Sequence, residues 1–382
     1  MNKRIVAALL AGVMAFSLTA CGGSGDKKGS TSDAGDSADM KIAMVTDSGD
    51  ITDQSFNQTT YEACKAFCEE NGLDFNYYKP DGDSDEARIA SCDQAIADGY
   101  NILVLPGYLF AASVVEESPV YPDVKFIALD MSEGDLTGAA GVDDVTQAYN
   151  TENTYCAIYQ EEIPGYMAGY AAVKMGYRHL GFLGGMSVPA VIRYGFGYVQ
   201  GINAAAEEYG ATYNYYAKYD AGFTDSALGS TVAGTFYDEG ANVVFADAGV
   251  VGDGITAKAK ELGKLAIQTD ANLDAQQPGH VLTSVLKITG VPVKTITKAY
   301  AEGKIDEMDR FQTYNLASGA TGITDLEEMG KHVQNQEVWN EIKEKVQAVS
   351  DKISSGEIKV TNKQLNEEFD ESTCPNVVIK TN

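Results

Sequence analysis

The chain is 382 residues long and carries 55 Asp and Glu against 28 Lys and Arg, a formal net charge of −27 at neutral pH. That balance is far too acidic for a nucleic-acid-binding surface, and 44% apolar with 22% charged residues excludes disorder or a collagen-like repeat for the bulk of a chain whose length fits about two domains. Its three histidines, His179, His280 and His332, lie far apart, so neither a His-rich metal centre nor His-dependent catalysis is expected, and no cofactor is implied.

The chain opens as a secretory signal. Lys3 and Arg4 form a basic start, and the apolar run Ile5 to Leu18 is too short to span a bilayer comfortably. Leu18-Thr19-Ala20-Cys21 resembles a bacterial lipobox, in which Cys21 is diacylated and becomes the mature N-terminus. Residues 1–20 are thus expected to be a removed signal peptide. Residues 21–40, almost free of apolar side chains, form a lipidated flexible tether that keeps the folded part at the extracytoplasmic face of the cell membrane.

From Lys41 onward, short apolar runs alternate with helical periodicity. Ile42–Val45, Ile102–Leu105, Phe126–Leu129, Leu180–Leu183, Val243–Ala246 and Leu265–Ile267 read as strands buried on both faces. Between them lie helical stretches such as Tyr61 to Glu70, where Tyr61, Cys64, Phe67 and Cys68 form one stripe before Gly72. Repeated strand-then-helix order means parallel sheets, and about a dozen strands imply two α/β lobes.

In such sheets ligands bind beyond the carboxyl ends of the strands. The first strand is followed by the polar loop Asp47 to Gln58, with Phe56 and Asn57 side by side where a helix starts. Later strand tips carry Asp130, Asp247-Ala248-Gly249 and Thr269-Asp270. Carboxylates and an amide converging with aromatic rings suit a polyhydroxylated ligand that also has a flat face.

With its Asp-Gln-Ser-Phe-Asn, the Asp47 to Asn57 loop resembles the N-terminal signature of the basic membrane protein (PnrA-like) family, the substrate-binding lipoproteins of ABC transporters that include purine-nucleoside receptors. Gly165-Tyr166-Met167-Ala168-Gly169, Tyr194 to Gly201, Ala246 to Gly249, Asp270 and Thr283-Ser284-Val285-Leu286-Lys287 are similar to further family segments, in order. The resemblance implies the type I periplasmic-binding-protein fold, two doubly wound parallel-sheet lobes joined by hinge strands. It divides the chain into an N-terminal lobe of 41–158 plus about 286–308 and a C-terminal lobe of 159–285 plus about 309–382. It also implies an ABC permease and its ATPase as partners and a nucleoside as ligand. By the same resemblance Phe56 and Phe223 stack on a base, Asn57 bonds a base edge, and Tyr194 faces the cleft. Asp47 belongs to the binding loop, and Asp130 and Asp270 take ribose hydroxyls or ring nitrogens. Gly249 allows close backbone approach, and Lys287 bonds the ribose or orients Asp270. The chain departs from the family pattern after Asp270, where Ala271-Asn272-Leu273-Asp274 stands in place of an Asp-Gln pair.

Other chemistry finds no support. Asp81 to Glu86 begins like an EF-hand loop, but Glu86 stands where Gly is required and Cys92 where the closing Glu belongs. Gly249 to Gly254 lacks the dinucleotide-binding spacing, Leu265 breaks a phosphate loop after Gly263-Lys264, and no Gly-x-Ser-x-Gly occurs. Cys64 and Cys68 suit packing, and Cys92, Cys156 and Cys374 leave room for one disulfide. Two further classes stay open: a ligand-sensing lipoprotein presenting a sugar or quorum signal to a membrane receptor, and an exported enzyme.

Overall fold

The computed structural model describes residues 40–362 and 370–381. The signal segment, Cys21 and the tether up to residue 39 lie outside the described residues, whereas Met40, assigned to the tether from the sequence, is buried in the first lobe's core. In chain order the first elements are β1 (Lys41–Val45), α1 (Phe56–Asn71), β2 (Asp74–Tyr78), α2 (Asp85–Ala97), β3 (Ile102–Pro106), α3 (Ala111–Val120), β4 (Lys125–Leu129), α4 (Glu133–Ala140), the short α5 (Val145–Ala148) and β5 (Thr154–Tyr159). Then follow α6 (Glu162–Lys174), β6 (His179–Gly184), α7 (Pro189–Tyr209), β7 (Tyr213–Lys218), α8 (Ser226–Asp238), β8 (Val243–Asp247), α9 (Val251–Leu262), β9 (Leu265–Asp270) and β10 (Val281–Lys287). The chain ends with α10 (Gly290–Ala301), β11 (Phe311–Tyr314), β12 (Thr321–Ile323), α11 (Glu327–Gly330), α12 (Gln336–Ser354) and β13 (Val377–Thr381).

All six apolar runs are strands, and the continuous burial of β3, β8 and β9 is what helices on both faces of a sheet require. One sheet has the order β11-β5-β4-β3-β1-β2, the other β12-β10-β9-β8-β6-β7-β13. Strands one to five of the first lobe and β6 to β10 of the second therefore repeat the same 2-1-3-4-5 winding. Among the described residues the one antiparallel pairing in these sheets is β12 against β10. Helix α1 begins earlier than its apolar stripe, at Phe56, and stops at Gly72, whose left-handed backbone (φ 67°) terminates the helix as glycine does best.

The chain passes between the sheets three times, at Gln160–Glu161, at Ile288–Thr289 and over 315–320. Val293 and Ile296 of α10 pack into the first lobe's core, and β11 pairs with β5. The second lobe thus resumes after Tyr314 rather than near residue 309, because residues 311–314 complete the edge of the first sheet. The five cysteines among the described residues are free and buried, so Cys92, Cys156 and Cys374 form no disulfide with one another.

Helices α6 and α7 touch through glycine. A Cβ on Gly165 would lie 2.4 Å from the Tyr194 carbonyl oxygen, and one on Gly169 would lie 2.3 Å from that of Tyr198. From the other helix, a Cβ on Gly197 or on Gly201 would lie 1.9 or 2.0 Å from the carbonyl oxygen of Glu162 or Tyr166. Two of the sequence segments that resemble the family are this contact seen from either side, and every residue of α6 is buried by it, by the sheet and by α12. Gly197→Ala should force the helices apart at a cost of about 1–3 kcal/mol or more, read as a lowered melting temperature. Gly234→Ala in α8, where a Cβ meets nothing within 4 Å, should leave stability equal or raised by about 0.5–1 kcal/mol in the same thermal melts.

Candidate ligand-binding cleft

In a 2-1-3-4-5 sheet the strand order reverses between the first and third strands, and the loops leaving those strands diverge to open a crevice. Here two such crevices face each other. The loops after β1 and β3 contribute Asp47 to Asp50, Thr52, Asp53, Ser55 to Asn57 and Gly107–Tyr108, while those after β6 and β8 contribute Met186, Val188 to Val191, Asp247, Gly249 and Val250. The cleft between them has a volume of about 410 Å³. Asp47, Phe56, Asn57, Asp130, Tyr194, Phe223, Gly249, Asp270 and Lys287 all line it.

The loop after β1 is held by its own carboxylates. Asp53 accepts from the backbone N–H groups of Ser55, Asn57 and Gln58 (2.9, 3.2 and 3.0 Å), capping α1 in place of the Ser55 hydroxyl. Asp47 accepts from Gly49 N–H (2.7 Å) and from the Asn57 side-chain amide (2.7 Å), and burial holds its carboxyl above the usual range. The Asn57 amide nitrogen gives its second hydrogen bond to Asp53 (2.9 Å), and its oxygen accepts from Asp47 N–H (3.1 Å). Expected to bond a ligand edge, Asn57 is 3% exposed and both its donor hydrogens are used within the loop.

Asp130 follows β4 and Asp270 ends β9, equivalent tips of the two lobes, and both adopt left-handed backbone (φ 55° and 68°). Asp is one of the few residues with a side chain that occupies that region readily. The conformation turns each carboxylate into the cleft. The Ser55 hydroxyl donates across the cleft to Asp270, so the lobes touch and the structure is closed. Contrary to one reading of the sequence, Lys287 does not have Asp270 among its direct partners in the described residues, although its charge still lowers the Asp270 carboxyl against the effect of burial. Its ammonium bonds Asp130 and lies 2.9 Å from Glu161, which also accepts from the Arg193 guanidinium. All four groups are buried. Burial alone would lower the Lys287 pKa, but Asp130 and Glu161 outweigh it and hold the amine above its usual value. For Glu161 burial pushes up while Arg193 and Lys287 pull down, leaving it at about 2; Asp130, buried and facing Glu161, is pushed upward.

Three aromatic rings surround the ammonium, Phe56 at 5.0 Å, Tyr159 at 5.2 Å and Tyr194 at 5.6 Å from their centroids. Tyr194 is both core and cleft: it packs on Phe245 and is 1% exposed, yet its hydroxyl has no hydrogen-bond partner among the described residues. Asp130 Oδ1 and Asp247 Oδ2 are likewise buried without a partner. Burial drives Asp247 well above the ordinary carboxyl range. Phe223, from the loop after β7, is only partly buried, and a Cβ on Gly185 would lie 2.3 Å from its ring. Gly249 has φ 54° and would crowd the Phe223 carbonyl at 3.1 Å with any side chain.

Glu161, Arg193, Ser55 and Asp53 are the site residues that sequence reading passed over. Glu161 follows β5, whose Thr-Tyr-Cys-Ala-Ile-Tyr is no plain apolar run although it is rich in aromatic and β-branched residues. Arg193 stands in an otherwise apolar helical face, itself a signal of a buried ion pair.

Two facing doubly wound lobes and a lined cleft between them define a ligand-binding receptor of the type I periplasmic-binding kind. The chain belongs to the Bmp family, described as ABC transporter substrate-binding protein PnrA-like, whose model matches residues 40–364. It is 26% identical to the ABC transporter nucleoside-binding protein BmpA of Lactococcus lactis, over 95% of this chain and 100% of that one. It is 24% identical to a protein of Pyrococcus furiosus named as a lipoprotein, over 87% and 88% of the two chains. In fold it is similar to the crystal structure of an ABC transporter solute-binding protein from Aeropyrum pernix, with a TM-score of 0.69 and 22% identity, covering 88% of this chain and 95% of that one. The family is one of binding proteins, not enzymes, and works outside the cytoplasm with a small-molecule ligand, a permease and its ATPase.

Next to Glu161, Glu162 is fully buried, with Asn362 (2.8 Å) and Gln160 (3.3 Å) donating to Oε1 and no partner at Oε2. Burial, opposed by the Asn362 bond, pushes its pKa up to about 7. A carboxyl raised on folding contributes stability that is present below its unfolded pKa and lost as pH rises through the folded value. Urea melts should show stability falling between pH 4.5 and 7.5. Glu162→Gln should flatten that slope and be the more stable protein at pH 8 by about 1–3 kcal/mol. Buried Asp47, Asp247 and Asp270 act in the same direction, so part of the slope should remain.

Proposed function

We propose that this chain is the lipid-anchored receptor of an ABC importer that clamps a nucleoside, a purine nucleoside by preference, between its lobes and delivers it to the permease. The observation that carries the reading is the pairing of unpartnered buried acceptors, Asp130 Oδ1 and Asp247 Oδ2, with two partly buried rings, Phe56 and Phe223, from opposite lobes. Buried acceptors left bare are costly, so the matching ligand brings hydroxyl or N–H donors to them. The rings supply a stacking surface for a planar base. The lining also carries Asp47, Asp50, Asp53, Asp83 and Asp270 against Lys79 and Lys287, a negative excess that favours an uncharged ligand over a phosphorylated one.

In this reading Phe56 and Phe223 stack on the base, and Asp130, Asp247 and Asp270 accept from the ribose hydroxyls or the base edge. Gly249 admits the ligand close to the backbone. Lys287 positions Asp130 rather than bonding the sugar, and Asn57 holds Asp47. Support also comes from the Lactococcus relative, which is named for nucleoside binding. About 19 non-hydrogen atoms at about 0.4 kcal/mol each give a binding free energy of about −8 kcal/mol, hence micromolar affinity.

Mass spectrometry of the small molecule that copurifies with the protein should find a purine nucleoside; a sugar in its place overturns the ligand assignment. Base–aromatic stacking is worth about 1–3 kcal/mol, so Phe56→Ala should weaken nucleoside binding about 5- to 150-fold in calorimetric titration while Phe56→Tyr keeps most of it. Unchanged affinity together with a much lower ligand-free melting temperature would make Phe56 a core residue instead. For the anchor, Cys21→Ser should leave the protein in the soluble fraction of its host, and sedimentation with membranes as in the parent contradicts the lipobox reading.

A further inference from the structure

Outside the ligand cleft, at its rim, the lobes meet a second time. Gln54, in the loop between β1 and α1, belongs to the first lobe; Asp253 on α9 and Gln276 in the loop between β9 and β10 belong to the second. The Gln54 side-chain nitrogen donates to Asp253 Oδ2 at 3.1 Å. The Gln276 side-chain nitrogen donates to Asp253 Oδ1 and, at 3.5 Å, to the Gln54 oxygen. Each of the three side chains therefore bonds both others, with every donor set against an acceptor.

The ring is held ready from both sides. Gln268 donates to the Gln276 oxygen at 3.1 Å, which turns the Gln276 nitrogen toward Asp253 and Gln54. Gln54 has left-handed backbone (φ 55°), a state that is costly for a residue with a side chain and persists only where its surroundings impose it. Here its N–H is tied at 2.9 Å to the Gln58 side chain. That posture points the Gln54 amide across the rim. None of the three residues lines the 410 Å³ cleft.

We propose that Gln54, Asp253 and Gln276 form an interlobe latch that biases the receptor toward its closed form and slows ligand escape, without touching the ligand. A ligand that binds the closed form is held in proportion to the closed population, so contacts made only on closing raise affinity for whatever occupies the cleft. This rests on the clamp reading of the cleft but not on the ligand being a nucleoside. Opening breaks both bonds that Gln54 makes across the rim, while the Gln276–Asp253 bond stays within the second lobe and keeps the receiving pair in place.

The test uses the full chain carrying Cys21→Ser, alone and with Gln54→Ala, Asp253→Ala or both. Small-angle scattering without ligand should give a larger radius of gyration for each latch variant than for the parent, with Gln54→Glu, which sets a second carboxylate against Asp253, at least as open. With inosine as probe, surface plasmon resonance should show dissociation about 3- to 10-fold faster for either single variant and association little changed, as removal of a charge-assisted bond predicts. The double variant should be no worse than Gln54→Ala alone, because that change already removes both bonds across the rim. Scattering curves that match the parent in every variant overturn the proposal, as do additive effects in the double variant. Should the parent not bind inosine, the nucleoside assignment fails and the scattering comparison decides the latch by itself.

Discussion

The cleft depends on one buried charge array at the crossing between the lobes. Glu161 sits where the chain leaves β5 for α6, entirely out of water, and its ionised form exists only because Arg193 and Lys287 reach it from two different elements of the second lobe. A buried carboxylate without such partners would neutralise itself, and a buried ammonium or guanidinium would face the same penalty. Lys287 then reaches over to Asp130 of the first lobe, so the array joins the hinge, the second sheet and one wall of the cleft. Removing one member strands the others, which ties the geometry of the binding surface to the geometry of the hinge. Phe56, Tyr159 and Tyr194 stand around this charge, so the aromatic side of the cleft is organised by it as well.

The second constraint is steric. Arg193 and Tyr194 reach the cleft from α7, and α7 sits where it does because Gly165, Gly169, Gly197 and Gly201 let two backbones approach without side chains between them. Arg193, Gly197 and Gly201 are spaced by four along α7, so charge and close packing act on the same face of the helix, the one toward α6, and a change in one reaches the other.

Much of this was legible in the sequence because the relevant rules are local. A fully buried parallel strand is a short apolar run, and the residue after it lies at the sheet's functional edge, so Asp130, Asp270 and the Asp47 loop could be placed from pattern alone. What the pattern could not carry was partner choice. Lys287 and Asp130 are 157 positions apart, and no periodicity says whether the ammonium goes to Asp130, to Glu161 or to Asp270. Asn57 shows the same gap, since an amide at a helix start serves a ligand or a loop equally well, and no pattern says that Asp47 and Asp53 take both its donor hydrogens. Strand β11 escaped because Phe-Gln-Thr-Tyr pairs at a sheet edge, where burial on one face leaves no apolar run to see.

Burial of the cysteines has a consequence for the life of the protein outside the cytoplasm. Desolvation pushes the Cys68 thiol up to about 11 and those of Cys64, Cys92 and Cys156 higher still. The thiolate is the species that reacts with oxidants, so in the folded protein these sulfurs are chemically silent. They sit on α1, α2 and β5 of the first lobe, and unfolding of that lobe would return all four to ordinary acidity together. Folding itself is then their protection against an oxidising environment, and modification of any of them records a molecule that has opened. A receptor built without disulfide bonds between these positions relies on how seldom that happens, which makes its unfolding rate, more than its equilibrium stability, the quantity that sets its working lifetime.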